Sequence, residues 1–296
     1  MTAPKPRILI TGKNGQLGWE LARAFAQIGD VFAFDRDALD LADPDAICRC
    51  CAEVKPSLIL NAGAYTAVDR AEQEPALAMQ INGVAPQIFA EEANRLGASL
   101  IHYSTDYVFA GDATVPYAED DPTSPQNVYG KTKLVGEQAV RDIANRYLVF
   151  RTSWVYAARR QNFLLTMLKL AREREELRVV ADQIGSPTWV NTLADFTRAV
   201  VDENGRLTIA EGIYHLSAND RVSWHGFAEA IFASITDPQR ILKTVIPIQT
   251  KDYPTPAKRP AFSVLSNQKI EFATNLRVPA WQDQLAGCAK SYAQSA

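Results

Sequence analysis

The chain has 296 residues, 47% of them hydrophobic and 22% charged, a balance that excludes a disordered, collagen-like or disulfide-scaffold protein. Lys and Arg number 31 against 34 acidic residues, and the resulting net charge of −3 supplies no bulk positive field for nucleic acid or an anionic membrane. At about 150 residues per domain, the length predicts two domains.

In chain order, short apolar runs at 7–11, 31–35, 57–61, 99–104 and 148–151 read as buried strands. Runs with helical spacing at 16–28, 44–54, 75–96 and 128–145 separate them. Strands alternating with helices predict right-handed crossovers and a doubly wound, Rossmann-type parallel sheet covered on both faces. A further strand is expected at 177–180. After about Asp182 the pattern changes, with helices expected at 193–203, 224–234 and 281–293 and strands at 213–216 and 244–246. Residues 1–182 are therefore assigned mainly to a dinucleotide-binding domain. Residues 183–296 are assigned mainly to a smaller α/β substrate domain, interleaved with the first near the boundary. Pro247, Pro254, Pro256 and Pro260 are too dense for a helix or a central strand and predict a long functional loop.

Residues 1–6 lack a signal-peptide apolar stretch, and no run approaches the roughly 20 residues that span a bilayer. Cys48, Cys50, Cys51 and Cys288 fit neither zinc ligation nor a disulfide framework, so the expected setting is a reducing cytoplasm. His102, His215 and His225 show no ligand spacing and read as structural histidines.

The first strand runs into Gly12-Lys-Asn-Gly15-Gln-Leu-Gly18 and then directly into a helix. Glycines permit a tight turn and close backbone approach, while the helix N-terminus attracts a pyrophosphate, so this loop predicts dinucleotide binding. Asp35 closes the second strand 17 residues after Gly18 and favours NAD through the ribose hydroxyls. Arg36 follows and could hold a 2′-phosphate, which leaves NADH and NADPH both open. Asn61-Ala-Gly-Ala64 places small residues at the end of the third strand. Gly130-Lys-Thr132 looks like the end of a Walker A loop, but Pro125 stands where that loop needs glycine.

Tyr129 and Lys133 stand four apart near a helix start, hence on one face, and Thr105 lies 24 residues upstream at the carboxyl end of the fourth strand. Such a set supports hydride transfer to or from a carbonyl. Free tyrosine, with a pKa of about 10, is a poor base. A lysine ammonium and an oxidised nicotinamide nearby are expected to bring it toward the working range.

The glycine triplet with Tyr129 and Lys133 resembles the extended short-chain dehydrogenase/reductases. Ser104-Thr-Asp-Tyr-Val-Phe109, Asn127-Val-Tyr-Gly-Lys-Thr-Lys-Leu134, Arg151-Thr-Ser-Trp-Val-Tyr156 and Tyr253-Pro-Thr-Pro-Ala-Lys-Arg-Pro260 are similar, more narrowly, to the dTDP-4-dehydrorhamnose reductases. The resemblance implies NAD(P)H-dependent reduction of the C4 ketone of dTDP-4-dehydro-L-rhamnose. It makes Tyr129 the proton donor, with Thr105 assisting and Lys133 positioning. It places Thr105, Asp106 and Trp154 on the sugar, and Gly15, Gln16, Leu17, Asp35, Asp40, Leu41, Ala64, Tyr65 and Thr66 on the dinucleotide. Arg259, able to engage two oxygens at once, is the candidate for the substrate diphosphate.

Nucleotide-sugar 4,6-dehydratases carry glutamate where this sequence has Tyr107, so ketone reduction fits better than elimination. Ala157-Ala-Arg-Arg160 is more basic than the glycine-rich turn the resemblance leads one to expect. Some relatives bind a metal between subunits, but the C-terminal Lys290-Ser-Tyr-Ala-Gln-Ser-Ala296 lacks the acidic positions. No metal ligand is therefore assigned, magnesium rests on the resemblance alone, and a monomer or homodimer is expected. The alternatives are a reductase of another nucleotide-linked keto-sugar and a non-catalytic, reductase-like regulatory subunit.

Overall fold

A computed structural model describes residues 5–295. Residues 1–4 and 296, on which parts of the readings of the two termini fall, lie outside the described residues. The order is β1 (Arg7–Thr11), α1 (Gln16–Phe25), β2 (Asp30–Phe34), α2 (Pro44–Val54), β3 (Leu58–Asn61), α3 (Val68–Ala71), α4 (Pro75–Met79), α5 (Ala85–Leu96) and β4 (Ser99–Thr105). Next come α6 (Val128–Ile143), β5 (Tyr147–Thr152), β6 (Val155–Tyr156), α7 (Phe163–Glu173), β7 (Glu176–Val180), β8 (Ile184–Gly185) and β9 (Thr188–Trp189). The chain closes with α8 (Val190–Ala199), β10 (Gly212–His215), β11 (Val222–Ser223), α9 (Trp224–Ser234), β12 (Thr244–Ile248), α10 (Gln268–Thr274) and α11 (Trp281–Ser295).

Among the described residues, six strands form one sheet in the order β10-β5-β4-β3-β1-β2. Every pairing in it is parallel. The apolar run of β1 explains its central place, because a parallel strand needs cover on both faces. Ile8 and Ile10 pack on one side with Leu21 and Phe25 of α1 and Leu193 and Phe196 of α8. Leu9 packs on the other with Ile47 of α2, Phe89 of α5 and Val140 of α6. A separate core joins Leu164, Leu168, Leu177, Phe227, Ile231 and Leu285. It lies beside a two-stranded parallel sheet of β7 and β12.

The chain passes between these cores more than once. β7 precedes Asp182 yet pairs with β12, while β10, from the later half, pairs with β5 at one edge of the main sheet. Pro247 sits in β12, a strand of a two-stranded sheet, where a missing N–H is tolerated. The run 75–96, read as one helix, is interrupted by a π-turn at Gln80–Val84. That turn carries Asn82 inward, where its side chain accepts from Tyr65 N–H at 2.9 Å and donates to Thr132 Oγ1 at 3.2 Å. No helix of the described residues is long and apolar enough to cross a membrane.

Behind the sheet's carboxyl edge, Glu137 of α6 and Arg151 of β5 form an ion pair with side chains only 2% and 4% exposed. Arg151 Nε donates to Glu137 Oε2 at 3.0 Å, and Nη1 donates to the Glu119 carbonyl at 3.1 Å. Removing one partner leaves a buried charge unmatched. Glu137→Ala is therefore expected to lower unfolding stability by about 3–5 kcal/mol, read as a fall in the denaturant midpoint.

Candidate active site

The glycine loop leaves β1 at the carboxyl edge of the sheet. A Cβ on Gly18 would lie 2.2 Å from the Gly12 carbonyl oxygen, so the loop and α1 can cross this closely only with glycine there. Gly15 begins α1 with no side-chain cap and no acidic residue in the first turn. The helix therefore offers its N-terminal amides and the positive end of its dipole to an anion. Asn14 Nδ2 donates to Asp35 Oδ2, and Asp35 Oδ1 accepts from Ala38 N–H at 3.2 Å, which fixes the carboxylate beside the loop.

A cavity of about 1430 Å³ opens here and reaches the second core. That exceeds the roughly 300–1,000 Å³ of an ordinary small-molecule site and leaves room for two ligands. Gly12, Gly15, Gln16, Leu17, Asp35, Asp40, Leu41, Ala64 and Thr66 line it, as do Thr105, Asp106, Tyr129, Lys133, Trp154 and Arg259. Gly18 and Tyr65 are not in that lining. Gly18 packs against Gly12, and the Tyr65 hydroxyl turns to Glu74 Oε2, to which it donates at 2.6 Å.

Thr105 ends β4, and Asn127 caps α6 by accepting Gly130 N–H at 2.8 Å, so Tyr129 and Lys133 fall on the helix's first turns facing Thr105. Thr105 Oγ1 donates to Asp106 Oδ1 at 3.0 Å, while Asp106 Oδ2 is buried without a partner. The Lys133 side chain reaches past Tyr129 to β4. Its Nζ donates to the Tyr103 carbonyl at 2.6 Å and lies 3.2 Å from His102 Nε2. Burial pushes the Lys133 amine down to about 7 and the Asp106 carboxyl up to about 6. It also pushes the Tyr129 phenol above its ordinary range, with the Thr105 hydroxyl pulling the other way. In the protein alone, burial thus favours the neutral phenol of Tyr129, and the Lys133 ammonium expected to lower it is itself disfavoured by burial.

Trp154, in the left-handed region at φ +48°, lies flat on Trp224 with centroids 3.4 Å apart. Phe163 packs against Trp224 at 4.5 Å, and the three rings line the cavity. Arg160 donates to the Asn14 carbonyl, and Asn162 Nδ2 donates to Gln16 Oε1 at 3.1 Å, clasping the two sides together. Arg259 Nη2 donates to Asp69 Oδ2 at 2.6 Å and Nη1 to the Tyr107 hydroxyl at 3.2 Å. Among the described residues no group of three or more His, Cys, Asp or Glu side chains could hold a metal ion.

The RmlD substrate binding domain family matches residues 6–294. The dTDP-4-dehydrorhamnose reductase of Burkholderia thailandensis is 45% identical over 293 residues, covering 96% of this chain and 98% of that one. The Escherichia coli K12 enzyme of the same name is 43% identical, with 93% and 94% covered. This chain belongs to the dTDP-4-dehydrorhamnose reductase family. The crystal structure of the Bacillus anthracis dTDP-4-dehydrorhamnose reductase in complex with NADP superposes with a TM-score of 0.90 at 36% identity, covering 97% of this chain and 99% of that one.

Residues from the segments 104–109, 127–134, 151–156 and 253–260 meet around one cavity. Sequence reasoning missed Trp224, Arg160 and Asn162, whose partners are remote in sequence. His102, expected to be a structural histidine, is buried on β4 with a partner at each ring nitrogen. The raised carboxyl of Asp106 means that folding binds its proton more tightly than the unfolded chain does. Stability is then lost as pH rises from about 4 through about 6, and the loss is complete above that range. Asp106→Asn is expected to flatten this dependence and raise stability at neutral pH by about 1–3 kcal/mol, checked by denaturation across pH.

Proposed function

We propose that this chain reduces the C4 ketone of dTDP-4-dehydro-β-L-rhamnose to dTDP-β-L-rhamnose, the last step in making that sugar donor, with NADPH or NADH as reductant. The observation that carries this reading is the convergence of Thr105, Tyr129 and Lys133 with the glycine loop in one cavity large enough for dinucleotide and nucleotide sugar together. The uncapped start of α1 and the close crossing at Gly18 fit a dinucleotide diphosphate. The carboxylate of Asp35 suits ribose hydroxyls, and Arg36 beside it suits a 2′-phosphate.

A reduced nicotinamide, when bound, supplies the hydride that adds to C4. Tyr129, held as a neutral phenol by burial, gives its proton to the oxygen as negative charge develops there. The Thr105 hydroxyl must turn from Asp106 to donate to that same oxygen, which leaves Asp106 to accept from a sugar hydroxyl. Trp154 and Trp224 present a flat apolar wall for the sugar ring. Arg259, paired to Asp69 and Tyr107, stands ready for the substrate diphosphate, whose two charges compete for the guanidinium. Tyr107 occupies the position where an elimination base would stand, and its ring meets Tyr129 edge-on at 5.7 Å, which favours plain reduction. The four cysteines are free, in keeping with action in the cytoplasm.

Oxidation of NADH and NADPH is to be followed with a panel of keto-sugar nucleotides. Turnover of the 4-dehydrorhamnose precursor is expected; turnover of a different keto-sugar alone, or tight binding to a synthetase without turnover, would replace this reading. Tyr129→Phe is expected to lower kcat roughly 100- to 10,000-fold with the dinucleotide Kd unchanged, because only the transferable proton is lost.

A further inference from the structure

Behind Tyr129 lies a buried chain of four side chains that the proton transfer above does not use. Thr11 of β1, Asn61 of β3, His102 of β4 and Lys133 of α6 are each no more than 2% exposed. The direction of each hydrogen bond follows from one end. Thr11 Oγ1 accepts from Gly63 N–H at 2.8 Å and donates to Asn61 Oδ1 at 2.8 Å. The Asn61 amide is thereby oriented, and its Nδ2, which can only donate, faces His102 Nδ1 at 3.1 Å. With Asn61 Nδ2 as its donor, Nδ1 is the bare nitrogen, and the neutral imidazole then carries its proton on Nε2, 3.2 Å from Lys133 Nζ. An N–H aimed at a nitrogen needs a lone pair there. An ammonium has none. A neutral amine has one, and keeps a proton to donate to the Tyr103 carbonyl at 2.6 Å.

We propose that His102, its tautomer set by Asn61, is a positioning residue that holds Lys133 as a neutral amine until a dinucleotide binds, when Lys133 takes up one proton from solvent. The lone pair that met the imidazole N–H receives that proton, and Nζ must then leave Nε2 for other acceptors. The charges around Lys133 allow this. Glu137, one turn along α6, favours the ammonium, but its carboxylate is engaged by Arg151 of β5. Tyr129, one turn back, is a neutral phenol, and β1 and β3 contribute only the uncharged Thr11 and Asn61. Burial pushes the lysine down to about 7 and the imidazole well below its usual range, so His102 does not charge in place of Lys133. A bound diphosphate brings negative charge into the cavity and restores the proton.

The inference rests on the dinucleotide reading for its ligand, but its first test does not. In protein labelled with ¹⁵N-histidine, at about pH 8, the His102 ring is expected to show the Nε2–H tautomer; the signals are assigned by their loss in His102→Gln. The second test is calorimetric titration with NADH, which lacks the 2′-phosphate, in buffers of different ionisation enthalpy. Between about half and one proton is expected to be taken up per NADH at that pH. In Asn61→Asp the new carboxylate accepts from both Thr11 and His102 Nδ1–H, so the ring is expected to change tautomer and the uptake to fall close to zero. A wild-type ring protonated on Nδ1, or equal proton uptake by the two proteins, overturns the proposal. Failure of NADH to bind counts against the dinucleotide reading instead, and the ring tautomer still decides this one.

Discussion

The site depends on how closely the start of α6 lies against the turn that follows β4. A Cβ on Gly130 would lie 2.2 Å from the Tyr107 carbonyl oxygen, so any other residue would push the helix away. At this separation the Lys133 side chain spans to β4, and the Tyr129 ring meets Tyr107 edge-on. The same junction anchors the proline-rich loop. Asn127 caps the helix through Oδ1 and donates through Nδ2 to the Lys258 carbonyl at 2.9 Å. A cap is ordinarily worth about 1 kcal/mol. Here one side chain also registers the loop that carries Arg259 against the helix that carries Tyr129.

The parallel sheet supplies the rest of the geometry. All its strands end at one edge, where helix N-termini and loop backbones converge and ligands of such folds bind. The second core adds what that edge lacks, an apolar wall of Trp154, Trp224 and Phe163. Because β7 and β10 exchange partners across the middle of the chain, the two sides are tied by strand pairing as well as by contact. The clasp from Arg160 and Asn162 to the glycine loop is the hydrogen-bonded counterpart of that exchange.

What could be read from the sequence follows from how local each signal is. The glycine loop is specified by residues within one strand–turn–helix unit, and β1 and the start of α1 fall where they were expected. Tyr129 and Lys133 share a face because helical spacing alone puts them there. The π-turn at Gln80–Val84 escaped because one extra residue in a turn barely disturbs apolar periodicity, while the interactions of Asn82 that accompany it are with Tyr65 and Thr132. The sequence offers Arg259 as a bidentate cation but not its surroundings, since Asp69, its ion-pair partner, lies 190 residues earlier. His102 looked inert for the opposite reason. A single histidine shows no spacing, and its meaning appears only when Asn61 and Lys133 close on its two nitrogens.

Burial acts on Tyr129, Asp106 and Lys133 in one chemical sense, toward the neutral form. It raises the phenol of Tyr129 and the carboxyl of Asp106 and lowers the amine of Lys133. A site of fixed charges would hold its protons most firmly in whatever state the protein alone prefers. Desolvated groups, their charged forms disfavoured by burial, respond instead to charge that ligands bring, because interactions in a water-poor cavity are stronger than in solvent. In the proposed reduction, proton donation by Tyr129 is then favoured chiefly when negative charge develops on the substrate oxygen, where transition-state stabilisation acts. The same burial costs folding stability at Asp106, one of whose carboxylate oxygens is buried without a hydrogen-bond partner. Such a local cost is common at sites whose groups bind ligands, and it accords with the sugar contact proposed for Asp106.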